Sequence, residues 1–485
     1  MQQFNFKMIA SLIGTLLMIV SLMMLVSLFF SFYYGENWHP MLISSGITFG
    51  FGIGLYLLNT KNTNKEVRRR DGFLIVALGW ISMSVFGSLP YLISGAIPGI
   101  IDALFETVSG ITTTGATILT DIEIMPKYLL FWRSMTHWLG GMGIIVLTIA
   151  ILPLLGVGGM QLFLAEAPGV TPDKLHPRIT ETAKRLWIIY FLLTASEAVL
   201  LKIAGMGGFD AINHAMATMA TGGFSTKNAS IAYFTSPAIH YIIMVFMFLA
   251  GVNFTLLYFG LTGRVKTLLR NEEFRVYGLN ILALGAITAI GLILIQGTDV
   301  ELAFRNGFFQ VISIVTTTGF VSDNYLLWPN FLMVLIFVLF FSGGSTGSTA
   351  GGIKMMRMIV LLKNSFLELK RQIHPSAVVP VRFNGMAVPQ NITNTIAAFV
   401  LIYLIIFFLG SLVMSAMGLD FMTATGAVAA TLGNIGPGIG NVGPVDNFAF
   451  MPPAGKVFLS FLMLLGRLEL FTMLILFLPY FWRNN

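Results

Sequence analysis

Residues 111–117 read Ile111-Thr112-Thr113-Thr114-Gly115-Ala116-Thr117, and the Thr113-Thr114-Gly115 at their centre has three echoes further along the chain. These are Ala220-Thr221-Gly222, Thr317-Thr318-Gly319 and Thr431-Leu432-Gly433, whose glycines are separated in turn by 107, 97 and 114 residues. Each stretch follows an amphipathic segment and precedes a long apolar one. Glycine reaches backbone dihedrals closed to other residues, and successive carbonyls are what a dehydrated cation requires. The spacing predicts one structural unit used four times around a common axis, and the chemistry points to a cation pathway.

Composition supports a membrane setting for that unit. Of the 485 residues, 56% are hydrophobic and only 10% charged, with a mean hydropathy of +0.83, which excludes an ordinary soluble domain. Apolar runs of ~20 residues, enough to cross a bilayer as helix, recur along the chain. The first, about 8–32, has no small-residue cleavage site after it and reads as a retained helix. The chain has no cysteine, so disulfides and thiolate metal sites are excluded.

The net charge is +7, and its placement matters more than its sign. Basic residues cluster at Lys61–Arg70, Lys174–Arg185 and Arg264–Arg275, and again from Lys354 through Lys363, Lys370 and Arg371 to Arg382. The clusters alternate with apolar spans, as the positive-inside rule requires, rather than forming a nucleic-acid surface. One topology satisfies all of them: a multi-pass protein with both termini cytoplasmic and the four glycine stretches on the opposite side.

Two opening helices, about 7–33 and 40–59, flank the polar loop Gly35–Pro40 and carry no glycine stretch. Four units follow, each a helix, a half-helix, an extended filter and a second helix. The flanking helices are expected at 72–94 and 128–155, 184–205 and 237–262, 275–297 and 328–362, and 391–417 and 455–480. The half-helices are expected to begin near Asp102, Asp210, Asp299 and Asp420, where a carboxylate caps free N–H groups and suits the positive end of the helix dipole. The predicted fold is an all-α integral membrane protein with four pseudo-repeats around one central pore. An N-terminal hairpin occupies 1–70, and the repeats occupy 71–160, 161–263, 264–372 and 373–485.

Four stretches carry a family resemblance: Ile111–Thr117, Thr218–Ser225 (TMATGGFS), Thr316–Phe320 (TTTGF) and Thr431–Pro437 (TLGNIGP). With these, almost the whole chain resembles the Trk/Ktr/HKT superfamily of potassium transporters, and the added hairpin resembles its TrkH-type branch. The resemblance implies that carbonyls at and just before Gly115, Gly222, Gly319 and Gly433 hold K⁺. In the plant relatives a serine at the first filter glycine accompanies sodium permeation, and Gly115 therefore favours potassium. It further implies a bacterial inner-membrane homodimer resting on a cytoplasmic, nucleotide-binding TrkA ring. No nucleotide motif and no nucleic-acid site is expected in this chain.

The segment Ser342–Lys354 (SGGSTGSTAGGIK) interrupts an apolar helix with Gly343, Gly344, Gly347, Gly351 and Gly352. It fails the phosphate-loop pattern because Met355 follows Lys354. Small residues there suit close helix packing. The resemblance implies instead a gating loop beneath the filter, with the hydroxyls of Ser345, Thr346, Ser348 and Thr349 satisfying freed backbone. Arg467 lies in the last apolar span, where a charge must face a partner or a watery cavity. It is read either as half of an ion pair with another repeat or as a positive barrier in the pore. Glu469 sits on another helix face and is a poor partner for it.

Other polar residues have quieter readings. Glu106 with Arg133 and His137 is expected to form a structural ion pair behind the filter. Lys202, Lys227 and Lys456 are expected to be solvated on the outer side, and His214 to be a packing residue. Trp132, Trp138, Trp187 and Trp328 fall near span ends, as interfacial aromatics do. Gated, channel-like potassium uptake is the leading function. A symporter coupled to H⁺ or Na⁺ is the alternative, although the filter stretches hold no titratable group. An intramembrane hydrolase using Ser345 or Ser348 lacks a well-placed base, since His374 falls in the cytoplasmic stretch and Lys354 at the loop's end.

Overall fold

The computed structural model describes residues 4–58, 69–143, 179–374, 379–468 and 470–483. The basic run 61–68, Lys174, the far end of the helix expected at 128–155, the unit boundary at 160 and Glu469 lie outside the described residues. The described chain is almost wholly helical. One short antiparallel hairpin pairs Arg382–Phe383 with Met386–Ala387.

The opening helices run Phe6–Tyr34 and His39–Leu57. Left-handed Gly35 (φ 66°) closes the first, and Pro40 starts the second. They cross on small residues: a Cβ on Gly52 would lie 2.8 Å from the Gly14 carbonyl oxygen, and the Ser21 and Ser45 hydroxyls are 2.9 Å apart. Such contacts replace the hydrophobic drive that lipid cannot supply. The turn between them has a use the sequence did not reveal. Glu36 accepts hydrogen bonds from Lys127 N (2.8 Å) and Tyr128 N (3.2 Å), capping the helix Lys127–Trp138. That helix follows Pro126, which has no side-chain cap to offer.

Four half-helices sit between the longer ones: Ile100–Ile111, Gly208–Met219, Val300–Val315 and Phe421–Leu432. The four aspartates divide into two kinds. Asp299 and Asp420 are true N-caps, accepting from Glu301 N (3.1 Å) and Thr423 N (3.1 Å). In the other two the caps are Gly99 and Gly207, and Asp102 and Asp210 lie inside the first turn. There they bind elsewhere, Asp102 to Lys456 Nζ (2.6 Å) and Asp210 to Thr226 Oγ1 (2.7 Å). Lys456 is therefore not a solvated outer residue. It is 6% exposed and ties the last unit to the first half-helix.

Several expected spans are broken. Among the described residues six helices are long and apolar enough to cross a membrane, or up to eight if each bent pair counts as one span. The helix expected at 237–262 is Pro237–Ala250 followed by Phe254–Leu261 at 110°. Two residues cause this bend. Gly251 lies so close to the Tyr277 hydroxyl that no Cβ fits, and Asn253 caps a new helix by accepting from Thr255 N (2.8 Å) and Leu256 N (3.3 Å). The helix expected at 328–362 becomes Asn330–Leu339 and Met355–Ile373 with a loop between them. The last span bends by 118° after Arg467.

The tryptophans also depart from expectation. Trp132, Trp138 and Trp328 are buried, donating to Gly87 O (2.9 Å), Thr194 Oγ1 (3.2 Å) and Asp323 Oδ2 (2.9 Å). Their indole N–H groups need partners once buried, so they brace helices rather than mark an interface.

Gly52→Val, which places branched carbons against the Gly14 backbone, is expected to destabilise the opening hairpin by about 1–3 kcal/mol. Thermal melting of the purified protein in detergent, compared with Gly54→Val at an open position, reads this out.

Candidate cation site

The four half-helices end alike, and the shared ending sets the register. After the first, Thr113 N donates to Gly110 O (3.1 Å) and Thr114 N to Ser109 O (2.9 Å). The second repeats this with Thr221 N to Thr218 O (2.8 Å) and Gly222 N to Ala217 O (2.8 Å). The third uses Thr317 and Thr318, and the fourth uses Asn434 and Ile435. This paired ending requires a left-handed residue just past the helix. Thr113, Thr221, Thr317 and Asn434 occupy it, with φ of 52°, 53°, 56° and 53°. Threonine is β-branched and a true outlier there, so the surrounding structure must enforce it.

The positions that correspond are thus Thr113-Thr114-Gly115, Thr221-Gly222-Gly223, Thr317-Thr318-Gly319 and Asn434-Ile435-Gly436. This corrects the sequence register in two units. Ala220 and Gly433 are right-handed caps (φ −76° and −79°) matching Thr112, while Thr431 and Leu432 belong to the fourth half-helix. Thr431 Oγ1 bonds Ala427 O (2.7 Å) within that helix. Gly223 and Gly436 are the residues that sequence spacing missed. Asn434 was the available signal, because asparagine is a common non-glycine residue in the left-handed region.

The corrected glycines close a ring. A Cβ on Gly115 would collide with Gly222 O, one on Gly223 with Thr318 O, and one on Gly319 with Ile435 O. A Cβ on Gly436 would lie 2.7 Å from Thr114 O, which completes the circuit. Each contact runs from one glycine to the carbonyl just before the next unit's glycine. All four glycines, with φ between 77° and 99°, line a single cavity of about 130 Å³. Its wall also holds Asn228, Lys227 and Asp446. Near it, hydrogen bonds from Asn228 Nδ2 and the Glu123 backbone hold the exposed Asp121 carboxyl below its usual pKa. Partial burial pulls the Lys227 pKa down, but the carboxylates of Asp210 and Glu123 more than offset it and raise it.

Behind the ring, Arg133 is 1% exposed and forms the expected ion pair with Glu106 (2.8 Å). It also donates to Ser225 O (3.1 Å) and stacks on Phe224 at 3.8 Å. Glu106 accepts further bonds from Thr117 Oγ1 and Ile118 N, both at 3.0 Å, so this pair splints the stretch that follows Gly115. His137 takes no part in the ion pair. Its Nδ1 lies 2.7 Å from Gly110 O, and its Nε2 accepts from Phe224 N (3.2 Å), linking the first two units. His214 bridges Asp210 O and Ser225 Oγ.

On the other side of the ring lies the segment Gly343–Ile353. Thr317 Oγ1 accepts from Gly351 N (2.6 Å), and Thr221 Oγ1 donates to Thr349 O (2.8 Å). A Cβ on Gly351 would lie 2.6 Å from Gly433 O. The left-handed threonines of the second and third units therefore hold the loop directly. Arg467 joins from the fourth unit, donating to Thr349 O (2.7 Å), Gly140 O (2.6 Å) and Gly141 O (2.9 Å). These three acceptors are backbone carbonyls contributed by the third and first units. Of the loop hydroxyls, Thr349 donates to Met219 O (3.0 Å) and Ser348 to Ser345 O (2.6 Å).

Two substitutions distinguish the registers. Gly436→Ala is expected to cost about 1–2 kcal/mol from its left-handed backbone alone, plus the Thr114 collision. Gly433→Ala, with ordinary φ, is expected to cost less in melting temperature and to retain more ion flux. In the same assays Arg133→Met, which strands the Glu106 carboxylate in a buried site, is expected to cost about 3–5 kcal/mol.

Comparison with known proteins agrees with this architecture. The family described as TrkH, cation transport protein, matches residues 41–275 and 273–483. The Trk system potassium uptake protein TrkH of Halomonas elongata is 43% identical over 484 residues, covering 99% of this chain and 100% of that protein. The protein of the same name from Escherichia coli K12 is 45% identical over 443 residues, covering 90% and 91%. The crystal structure of the potassium transporter TrkH from Vibrio parahaemolyticus superposes with a TM-score of 0.89 at 39% identity, covering 99% and 100%. With its overall fold and almost its whole sequence matched, this chain belongs to the TrkH family of cation transport proteins.

Proposed function

We propose that this chain carries potassium into the cell through a gated, channel-like pore. The observation that carries the reading is the closed ring in which each unit's glycine abuts the next unit's preceding carbonyl. Carbonyls of residues 113–115, 221–223, 317–319 and 434–436 replace the water of a dehydrated cation. Short half-helices ending at the ring add the negative ends of their dipoles. No side chain among these twelve residues titrates, which favours passive conduction over proton-coupled symport. Membership in a cation transport family likewise favours transport over hydrolysis.

The membrane potential drives entry, supplying about 2.3 kcal/mol per charge for each 100 mV. The loop Gly343–Gly352 and Arg467 form the gate. They lie against the ring on the face away from the cavity, and a guanidinium there repels an approaching cation. The basic clusters orient the chain in the bacterial inner membrane with both termini cytoplasmic. A homodimer bearing a TrkA-type nucleotide-binding ring on its cytoplasmic face is the working assembly, and this chain itself binds no nucleotide.

Flux into proteoliposomes containing this chain alone, compared for K⁺, Rb⁺, Na⁺ and Li⁺, tests the reading. K⁺ and Rb⁺ are expected to pass best. Arg467→Ala and a shortened 343–352 loop are each expected to raise K⁺ flux by about tenfold, equivalent to ~1.4 kcal/mol off the barrier. Saturable uptake that collapses with the proton gradient would favour the symporter, and unchanged flux in Arg467→Ala would remove that residue from the gate.

A further inference from the structure

The loop is held toward the ring at Thr349, reached by Thr221 and Arg467, and at Gly351, whose N–H donates to Thr317 Oγ1. Away from the ring, Ser345 N donates to Gly251 O (2.8 Å), and a further attachment lies one residue on. This is the Thr346 peptide, which is held from both of its sides. Its N–H donates to Glu273 Oε1 (2.7 Å), and its carbonyl accepts from Asn253 Nδ2 (2.6 Å). Gly347 O next to it accepts from Phe254 N (3.1 Å), and Gly347 lies in the left-handed region (φ 78°) with Asn253 Nδ2 2.8 Å from where a Cβ would be.

Neither residue belongs to the loop's own helices. Glu273 lies in the first turn of Glu272–Gly291, and Asn253 is the cap at the 110° break after Ala250. Glu273 does two things with one oxygen, since Oε1 also accepts from Met356 N (3.0 Å). Met356 is in the first turn of Met355–Ile373, whose N-cap, Lys354, makes no side-chain cap. A carboxylate from another element thus caps the helix that ends the loop and grips the loop's middle. The neighbouring Glu272 secures this position, pairing with Lys363 and accepting from Asn384 N (3.0 Å). Asn384 Oδ1 in turn accepts from Glu272 N (2.7 Å).

We infer that Glu273 and Asn253 are the positioning residues of the gate, clasping the Thr346 peptide so that the loop is presented to the ring in its closed form. The inference rests on the gated-pore reading, and it adds a fixed fulcrum to it. Removing the clasp frees the loop's middle while leaving the ring, the cavity and Arg467 intact. Release therefore changes how often the gate opens and leaves the ion preference of the filter unchanged.

The chain has no cysteine, so Ser348→Cys supplies one reporter thiol without background. In that background, full-length protein in proteoliposomes is assayed for the rate of maleimide modification and for K⁺ flux. Glu273→Ala removes the acceptor of both Thr346 N and Met356 N, and loss of the bond to Thr346, the one that holds the loop, is expected to raise modification and flux alike by about tenfold. The K⁺ to Na⁺ flux ratio stays constant. Glu273→Gln keeps an oxygen acceptor for both N–H groups and is expected to stay near the parent. Asn253→Asp keeps the cap on Thr255 and Leu256 but removes the donor to Thr346 O. It is expected to open the loop as Glu273→Ala does, and it decides the matter should Glu273→Ala fail to fold. Unchanged thiol modification in a folded clasp variant overturns the inference, and if Arg467→Ala still raises flux the gate itself stands. Faster modification with no rise in flux, in the clasp variants and in Arg467→Ala alike, supports the clasp and removes the gating role.

Discussion

A backbone that leaves its helix at membrane depth must find every hydrogen-bond partner inside the protein. Four half-helices here end at buried residues inside the protein, and the ending they share meets that demand with two backbone bonds and a left-handed residue. Three of the four left-handed residues are threonines, which resist that conformation. The strain is held by what surrounds them, and the same hydroxyls serve as handles. Thr221 and Thr317 bind the loop, while Asn434 donates to Thr114 Oγ1 (2.9 Å) and to Met463 O (2.9 Å). The ring and the segment against it are thus one hydrogen-bonded body.

The units are alike at the ring and unlike around it. Repetition produces the circuit of glycines and carbonyls, because each unit offers the next the same two atoms at the same step. Within the ring the side chains differ at Asn434 and at the residue before each glycine, and the larger differences lie in what buttresses each position. Behind the first unit stand a buried arginine and glutamate, with His137 bridging to the second. The third supplies the loop and the fourth supplies Arg467. Asymmetry is concentrated in what packs against the circuit of glycines and carbonyls, which the four units share.

The membrane class, the recurrence of the unit, the interrupted helix at 342–354 and the Glu106–Arg133 pair were legible in the chain. Periodicity, apolar length and residue chemistry are local properties, and they survive without knowing the fold. Register was less secure. Gly222 and Gly223 are adjacent, and Gly433 and Gly436 are three apart, so composition offered two candidates in each unit. Hydrogen bonding chose Gly223 and Gly436, because only they follow the left-handed residue by two. Leu432, which the sequence placed in the fourth glycine stretch, is the last residue of its half-helix.

Tertiary structure alone decided the partnerships across units. Lys456 looked solvated and is buried on Asp102, 354 positions away in sequence. Glu36 in a surface-looking turn caps a helix that begins at Lys127. Arg467 is met by carbonyls of Thr349, Gly140 and Gly141, drawn from two other units. Sequence by itself determined that helices would cross a membrane, that four glycine stretches would interrupt them and that one arginine would need company there. Which carbonyl meets which glycine, and which peptide is gripped by Glu273, depends on chain segments brought together only when the units close on one another. A charge or a free N–H in a sequence states a need, and the packed fold determines what fills it.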